Sequence, residues 1–416
     1  MFLKKLIIYN FYKNIKKIFE LLNLYTIYIL FLLIILIILL FFYFLQLNII
    51  IYFIKSSQID LDNIFDGNFN IKANTDRVLE QLNFTPNKNF EGTILFYDHT
   101  TSSNNNSGSF YQSNCPYKNC FITNSIEYLN KSNYIIFAPN EMDDVTLTKL
   151  HNKRFNNQIW VLKLFENPEN TENLNKYNNL INYTSSYRWD SDIVVPYGKF
   201  VTNDNENSIN KNYKNTKNFI KKNELTILLD QKEKRIAMFV SNCFTKNFRL
   251  NYTYQIDKYY PVDIYGKCGD KTINRSDGYK LLKNKYKYYL AFENGNCQEY
   301  VTEKFFINAL QNYVIPIVLG PSKKFYQNIA PKNSFIHISD FKNAKELSLY
   351  LKFLDNNPSE YLKYFEWINH GKFIDTKFWC RLCIFAQNPK KKIYKDINKW
   401  WKGKKNCDNK KIQWQT

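Results

Sequence analysis

The stretch YYLAFENGNCQEYVTEKFF, residues 288–306, starts as a buried strand and ends as a helix, with Glu303 and Lys304 in the helix's first turn. A helix N-terminus carries partial positive charge and unpaired N–H groups, so a lysine there calls for an anion beside it. With Thr302 as N-cap of a helix expected over Thr302–Asn312, the first-turn N–H groups and the Lys304 ammonium would converge on one point. A phosphate or diphosphate would satisfy both. Arg249, in VSNCFTKNFRLNY after an earlier strand of the same unit, could reach that region and clamp phosphate oxygens with its planar fork. The competing reading makes Lys304 and Arg249 ordinary surface charges. His99, His151, His337 and His370 have no ligand spacing, and no metal site is assigned to them.

Positioning these groups requires strands that end where helices begin. TILFY (93–97), NYIIFAP (133–139), QIWVLKLF (158–165) and DIVVPYG (192–198) read as buried strands. The polar stretch VTNDNENSINKNYKNTKNF (201–219) has the composition of a linker or exposed loop. RIAMFVS (235–241), VDIYG (262–266), YKYYLAFEN (286–294), VIPIVLG (314–320) and SFIHI (334–338) supply a second set of strands, with helices expected over Thr302–Asn312 and Ala344–Leu354. This alternation predicts an α/β fold of two successive parallel-sheet units, in which ligands sit at the carboxyl ends of strands.

The 416 residues suffice for two domains with separate cores. No charged residue lies between Glu20 and Lys55, and Leu24–Leu45 is a run of 22 almost wholly apolar residues. Such a run spans roughly 30 Å of hydrocarbon, so a membrane helix is expected. The alternative is a cleaved signal peptide, which asks for an apolar run of roughly 7–15 residues and a small-residue cleavage site. Lys4, Lys5, Lys13, Lys16 and Lys17 precede the span and predict a type II topology with the bulk of the chain across the membrane.

Eight cysteines suit an oxidising lumen, with disulfides favoured over a zinc site built from Cys115-x4-Cys120 and Cys380-x2-Cys383. Six Asn-x-Ser/Thr sequons, at Asn83, Asn105, Asn130, Asn182, Asn251 and Asn274, fit the same setting. The formal charge of +20 is spread through a lysine- and asparagine-rich chain. It does not mark a nucleic-acid patch. The concentrated part is the tail, with ten lysines against two aspartates over 390–411, read as a solvated terminus or a membrane-surface contact.

FENGNCQEYVTEKFFINALQNYVIPIVLGPS, SSYRWDSDIVVPYG, YGKCG and SFIHISDF strongly resemble the α1,3-fucosyltransferases, glycosyltransferase family 10, over about Gly92 to Cys383. The resemblance implies a GT-B fold of two facing Rossmann-like domains behind a single N-terminal transmembrane helix. The divisions would be 1–23 cytosolic tail, 24–54 anchor, 55–90 stem, 91–218 acceptor-side domain, 219–385 GDP-fucose-binding domain and 386–416 basic tail. It implies inverting transfer of fucose from GDP-fucose to GlcNAc of a glycoprotein N-glycan, in the Golgi membrane with the catalytic part lumenal.

Carried over by position, the donor-binding residues fall on Arg249, Asn294, Tyr300, Glu303 and Lys304. Arg249 and Lys304 would bear on the diphosphate, and Glu303 on ribose or fucose hydroxyls. The catalytic glutamate falls on Glu166 in LFENPEN, with Glu169 as a nearby rival. No cofactor is obligatory by this resemblance, and stimulation by a divalent cation such as Mn stays open. Asp190-Ser191-Asp192 looks like the DxD metal motif of the other glycosyltransferase fold, but it leads into a strand of the first unit, so a structural role is expected. CPYKNCFITNSIEYL (115–129) and GKFIDTKFWCRLC (371–383) are similar to core α1,3-fucosyltransferases of invertebrates and plants. By that similarity Cys115 and Cys120 pair with Cys380 and Cys383, and the acceptor is the Asn-linked core GlcNAc. Residues 141–157 depart from the family pattern, which keeps a Lewis-type antennal acceptor and an inactive glycan-binding relative as alternatives.

Overall fold

In the first domain a six-stranded parallel sheet has the order β2-β1-β3-β4-β5-β6. Its strands are β1 (Ile94–Asp98), β2 (Cys120–Thr123), β3 (Tyr134–Phe137), β4 (Ile159–Leu164), β5 (Tyr183–Ser186) and β6 (Ile193–Val194). After β7 (Phe200–Thr202), the second domain carries a five-stranded parallel sheet, order β12-β11-β10-β8-β9. It is built from β8 (Glu233–Phe239), β9 (Val262–Tyr265), β10 (Tyr286–Phe292), β11 (Ile315–Leu319) and β12 (Ile336–His337). β13 (Gly371–Phe373) pairs antiparallel with β7. This is a computed structural model, and it describes residues 76–98, 110–203 and 222–403, apart from 91, 112, 140 and 141, together with 406–408, Asn14 and Trp414.

The cytosolic tail apart from Asn14, the anchor, the expected stem up to residue 75, the Asn105 sequon and most of the expected 201–219 linker lie outside the described residues. Among those described, no helix is long and apolar enough to cross a membrane. Residues 76–90 are not a stem: helix Arg77–Leu82 buries Val78 and Leu82 in the core of the first domain.

The buried strands follow the apolar runs because a parallel strand is covered on both faces. β10, central in its sheet, buries Tyr286, Tyr288 and Tyr289 completely. Each hydroxyl has a partner, as burial of a phenol requires. Tyr286 donates to Asp263 (2.6 Å), Tyr288 to the Leu351 carbonyl (3.2 Å), and Tyr289 accepts from Asn308 (3.0 Å). The antiparallel pair β7 and β13 lies outside the expected strands, and β7 reaches into the stretch 201–219 read as linker. In the parallel sheets two strands escape the apolar pattern. β5 is Tyr-Thr-Ser-Ser, wholly buried, with Thr184 hydrogen bonded to Asp192 and Ser186 to Ser191. β2 is short and opens on Cys120, which is held in a disulfide.

The C-terminal segment is not the solvated run its lysines suggest. Helix Phe378–Phe385 packs in the core of the first domain, tied there by Cys115–Cys380 and Cys120–Cys383. Within it Arg381 is fully buried and donates to Gln81 (2.6 Å) and to the Val194 carbonyl (2.8 Å). The chain then runs along the first domain: Tyr394 exchanges backbone bonds with Asn179 and Ile181, and Lys392 meets Asp192 at 2.7 Å. Cys407 finally bonds Cys297 of the second domain. Ile397 and Trp401 are fully buried. Their i, i+4 spacing puts them on one helix face, and this is the signal that the surrounding lysines hide.

Trp401 packs at a tilt against Tyr187 (5.5 Å between centroids) and donates its indole N–H to Thr171 (3.1 Å). Trp401→Ala is expected to cost about 3–5 kcal/mol of stability, read as a lowered urea midpoint. A midpoint equal to the parent's would mean the segment is not part of the folded core.

Candidate active site

Glu166 lies two residues beyond β4, and Asn294 two residues beyond β10. The carboxyl ends of the two sheets therefore meet at this point. One oxygen of the exposed Glu166, Oε1, accepts from the Asn167 backbone N–H (2.8 Å), Asn167 Nδ2 (3.0 Å), Asn294 Nδ2 (3.1 Å) and the Tyr300 hydroxyl (3.0 Å). Two of these donors come from each domain. Burial, reinforced by the charges of Glu293 and Glu166, pushes the Tyr300 phenol far above its ordinary pKa, so it remains a donor. The loop carrying these groups holds Glu299 at φ 61°, an uncommon conformation for a residue with a side chain. The Glu299 carboxylate accepts from the Trp189 backbone N–H of the first domain (2.6 Å).

The anion beside Lys304 is a carboxylate of the protein itself. The expected α-helix from Thr302 is instead a π-helical turn, Lys304–Ala309, followed by a 3-10 turn, Leu310–Asn312. Thr302 is drawn mainly to Glu293, a residue with no exposed surface, to which its N–H and hydroxyl both donate, while its hydroxyl oxygen accepts from the Lys304 backbone N–H at 3.4 Å. Lys304 Nζ reaches Glu293 Oε2 at 3.2 Å, Thr302 Oγ1 at 2.9 Å and Glu303 Oε1 at 3.5 Å. Burial pulls the Lys304 ammonium down, but the carboxylates of Glu293 and Glu303 outweigh it and leave the pKa above the ordinary lysine value. The stability this cation contributes is therefore complete below about pH 10.5 and lost only as pH rises through the higher folded value. Burial lifts the Glu293 carboxyl above its usual range, against the opposing Lys304 charge and Thr302 N–H.

Arg249 begins helix Arg249–Asp257, after Phe248 at φ 55°. Its guanidinium is buried and donates to the carbonyls of Phe292 (3.0 Å) and Asn242 (2.9 Å), while among the described residues its buried Nε has no hydrogen-bond partner. Burial lowers its pKa, and the nearby Glu293 charge opposes the shift. Two of the fork's five N–H donors are thus committed to backbone carbonyls.

Beside this cluster a cleft of about 380 Å³ opens over the ends of β8 and β9, lined by Ser241, Tyr265, Gly266, Arg275, Glu303 and Asn308 among others. Gly266 has φ 105°, and a Cβ there would lie 2.4 Å from the Val240 carbonyl, so the wall admits only glycine. Cys243–Cys268 ties together the loops that follow the two strands. Behind the wall, Asp263 accepts from Arg235, Lys271 and Tyr286, and Tyr286 bridges to Tyr265 (2.7 Å). Burial pushes the Asp263 carboxyl up, yet these hydrogen bonds overcome it and hold the group well below the usual aspartate range.

The remaining candidate side chains make other contacts. Asp190 pairs with Arg188, and Asp192 with Thr184, Lys392 and Tyr394. Glu169 meets Lys246 at 3.7 Å. Among the described residues no three His, Cys, Asp or Glu side chains are grouped so as to hold a metal ion.

Two parallel α/β domains whose strand ends meet at Glu166, with a cleft of about 380 Å³ over β8 and β9 of the second, have a GT-B-like arrangement. Residues 229–400 match the family model "Glycosyltransferase family 10 (fucosyltransferase) C-term", and residues 89–198 match "Fucosyltransferase, N-terminal". The chain is 36% identical over 350 residues to glycoprotein 3-alpha-L-fucosyltransferase A of Drosophila melanogaster, covering 80% of this chain and 66% of that protein. It is 32% identical to alpha-(1,3)-fucosyltransferase C of Drosophila melanogaster, covering 69% and 70%, and 34% identical to alpha-(1,3)-fucosyltransferase 4 of Homo sapiens, covering 59% and 45%. A crystal structure of an alpha1,3-fucosyltransferase with GDP-fucose superposes with a TM-score of 0.46 at 18% identity, covering 77% of this chain and 98% of that one. The chain belongs to glycosyltransferase family 10, the fucosyltransferases. It spans 66% of the first of these relatives and 45% of the human one.

Lys304→Met strands a buried charge on Glu293 and is expected to cost about 3–5 kcal/mol in urea unfolding, most of it recovered by adding Glu293→Gln. Equal stability of the single and double variants would show that the pair is not coupled. The Asp263 contribution is present above the ordinary aspartate pKa, near 3.8, and is lost as pH falls toward the lower folded value. Asp263→Asn should therefore flatten the stability loss below about pH 4. An unchanged acid limb in a pH series of thermal melts would contradict the cluster.

Proposed function

We propose that this chain is an inverting α1,3-fucosyltransferase that moves L-fucose from GDP-β-L-fucose to GlcNAc of a glycoprotein N-glycan. The observation that carries the reading is Glu166, presented by the first domain and held by Asn294 and Tyr300 of the second. The name of the 36%-identical relative supports a glycoprotein acceptor. The core Asn-linked GlcNAc is favoured by the two cysteine segments similar to core enzymes, whose four cysteines are bonded across them.

In this mechanism the nucleoside occupies the cleft over β8 and β9, with Glu303 beside its hydroxyls. Arg249 and Lys304 supply positive charge toward the diphosphate. Glu166 accepts the proton of the acceptor 3-hydroxyl as that oxygen bonds to fucose C1, and the C1–O bond to GDP breaks on the opposite face. Inversion at C1 turns the β donor into an α product, and GDP carries away the electron pair. Neutralisation by side chains makes a metal non-obligatory, and a cation such as Mn could stimulate turnover. The apolar run within 24–54 would anchor the enzyme in the Golgi membrane as a single-pass type II protein.

The purified full-length chain, given GDP-fucose and a glycopeptide bearing only the N-glycan core, is expected to release GDP and add one fucose to the innermost GlcNAc, read by mass spectrometry. Glu166→Gln should lower kcat by about 10²- to 10⁴-fold. Transfer to a lactosamine acceptor alone would move the assignment to the antennal reading. Glycan binding without GDP release would make the chain a lectin-like relative.

A further inference from the structure

We propose that Asn167 is the positioning residue that aims the Glu166 carboxylate, leaving Oε2 as the oxygen that takes the acceptor proton and tying that aim to the donor-side residue Asn294. The proposal rests on the reading of Glu166 as the base. It goes beyond it by naming how the base is oriented and by which domain contact.

The Asn167 side chain has no exposed surface, although it directly follows an exposed residue in a loop. Every polar atom of its amide is used. Nδ2 donates to Glu166 Oε1 (3.0 Å) and to Asn294 Oδ1 (2.9 Å), while Oδ1 accepts from the backbone N–H groups of Glu169 (2.9 Å) and Asn170 (3.0 Å). Rotating the amide by half a turn would set its NH2 against two N–H donors and its oxygen against two acceptors, so the network fixes its orientation. The Asn167 backbone N–H also donates to Glu166 Oε1 (2.8 Å).

Two consequences follow from this geometry. Oε1 receives four donors, whereas among the described residues Oε2 receives none, so the carboxylate is gripped by one oxygen and keeps the lone pairs of the other free. The grip also spans the domains, because the same Nδ2 that holds Glu166 holds Asn294. The chain next to Asn294 approaches closely as well: a Cβ at Gly295 would stand 3.2 Å from Asn167 Nδ2. The base is therefore aimed only while the second domain is seated against the first.

A purely structural role would rest on Oδ1, which closes the turn to Glu169 and Asn170, and aspartate supplies that oxygen equally well. Asn167→Asp keeps the turn but replaces the donor to Glu166 with a like charge. In the full-length enzyme it is expected to lose about 10- to 100-fold in kcat, with the KM for GDP-fucose changed by less than about threefold. Asn167→Ser, which also keeps a turn-closing oxygen but has no amide, should show the same split and serves if the aspartate variant does not fold. Turnover of either folded variant within about threefold of the parent, in an assay where Glu166→Gln is inactive, overturns the proposal and leaves the base reading standing. Parental turnover by Glu166→Gln removes the base reading itself, and this proposal with it.

Discussion

A carboxylate oxygen that takes two donors from one domain and two from the other sets a tolerance on the whole molecule. Hydrogen bonds of 2.8–3.1 Å at Glu166 Oε1 survive only small displacements, so the carboxyl ends of β4 and β10 must be held in register across a domain seam. The seam is built for this. A Cβ on Gly198 would fall 2.4 Å from the Phe306 ring, so the backbone of the first domain lies directly against the π-helical turn of the second. Tyr187 packs on Tyr300 at 5.0 Å, and Trp189 donates to Glu299. The C-terminal segment then crosses from the first domain to the Cys297–Cys407 bond, three residues before Tyr300. Glu166 is placed by contacts that begin in all of these elements.

The second constraint is the burial of charge. Glu293 has no exposed surface and sits beside Lys304 and Thr302, with Arg249 close enough to feel its charge. A lone carboxylate there would be prohibitively costly, so the ammonium and the hydroxyl are part of the fold before they are part of any donor site. The Lys304–Glu293 pair sits at the start of the π-helical turn Lys304–Ala309, a distortion frequent at functional sites. An incoming diphosphate would meet cations already balanced and already oriented, which lowers the reorganisation that binding demands.

Much of this was legible from residue order. Continuous apolar runs marked β1, β3, β4, β8, β10 and β11 because strands covered on both faces cannot hide their composition. The spacing of Glu166 after one strand and Lys304 after another placed both at carboxyl ends, where parallel folds bind ligands. β5 was not legible, because its burial is satisfied by hydrogen bonds among Thr184, Ser186, Ser191 and Asp192 and so carries no apolar signature. The packed tail was obscured by lysines around Ile397 and Trp401.

The sequence by itself determined the two α/β units, since periodicity and composition report local burial directly, and it marked Lys304 and Arg249 by their places after strands, while Glu166 was marked by resemblance to the family. Only the tertiary structure decided that Lys304 faces Glu293, that Asn294 and Tyr300 grip Glu166, and that Asn167 lies between them. Those pairings join residues up to 134 positions apart. They are settled when separately formed layers close on one another and each buried polar atom must find a partner, a requirement no local pattern encodes.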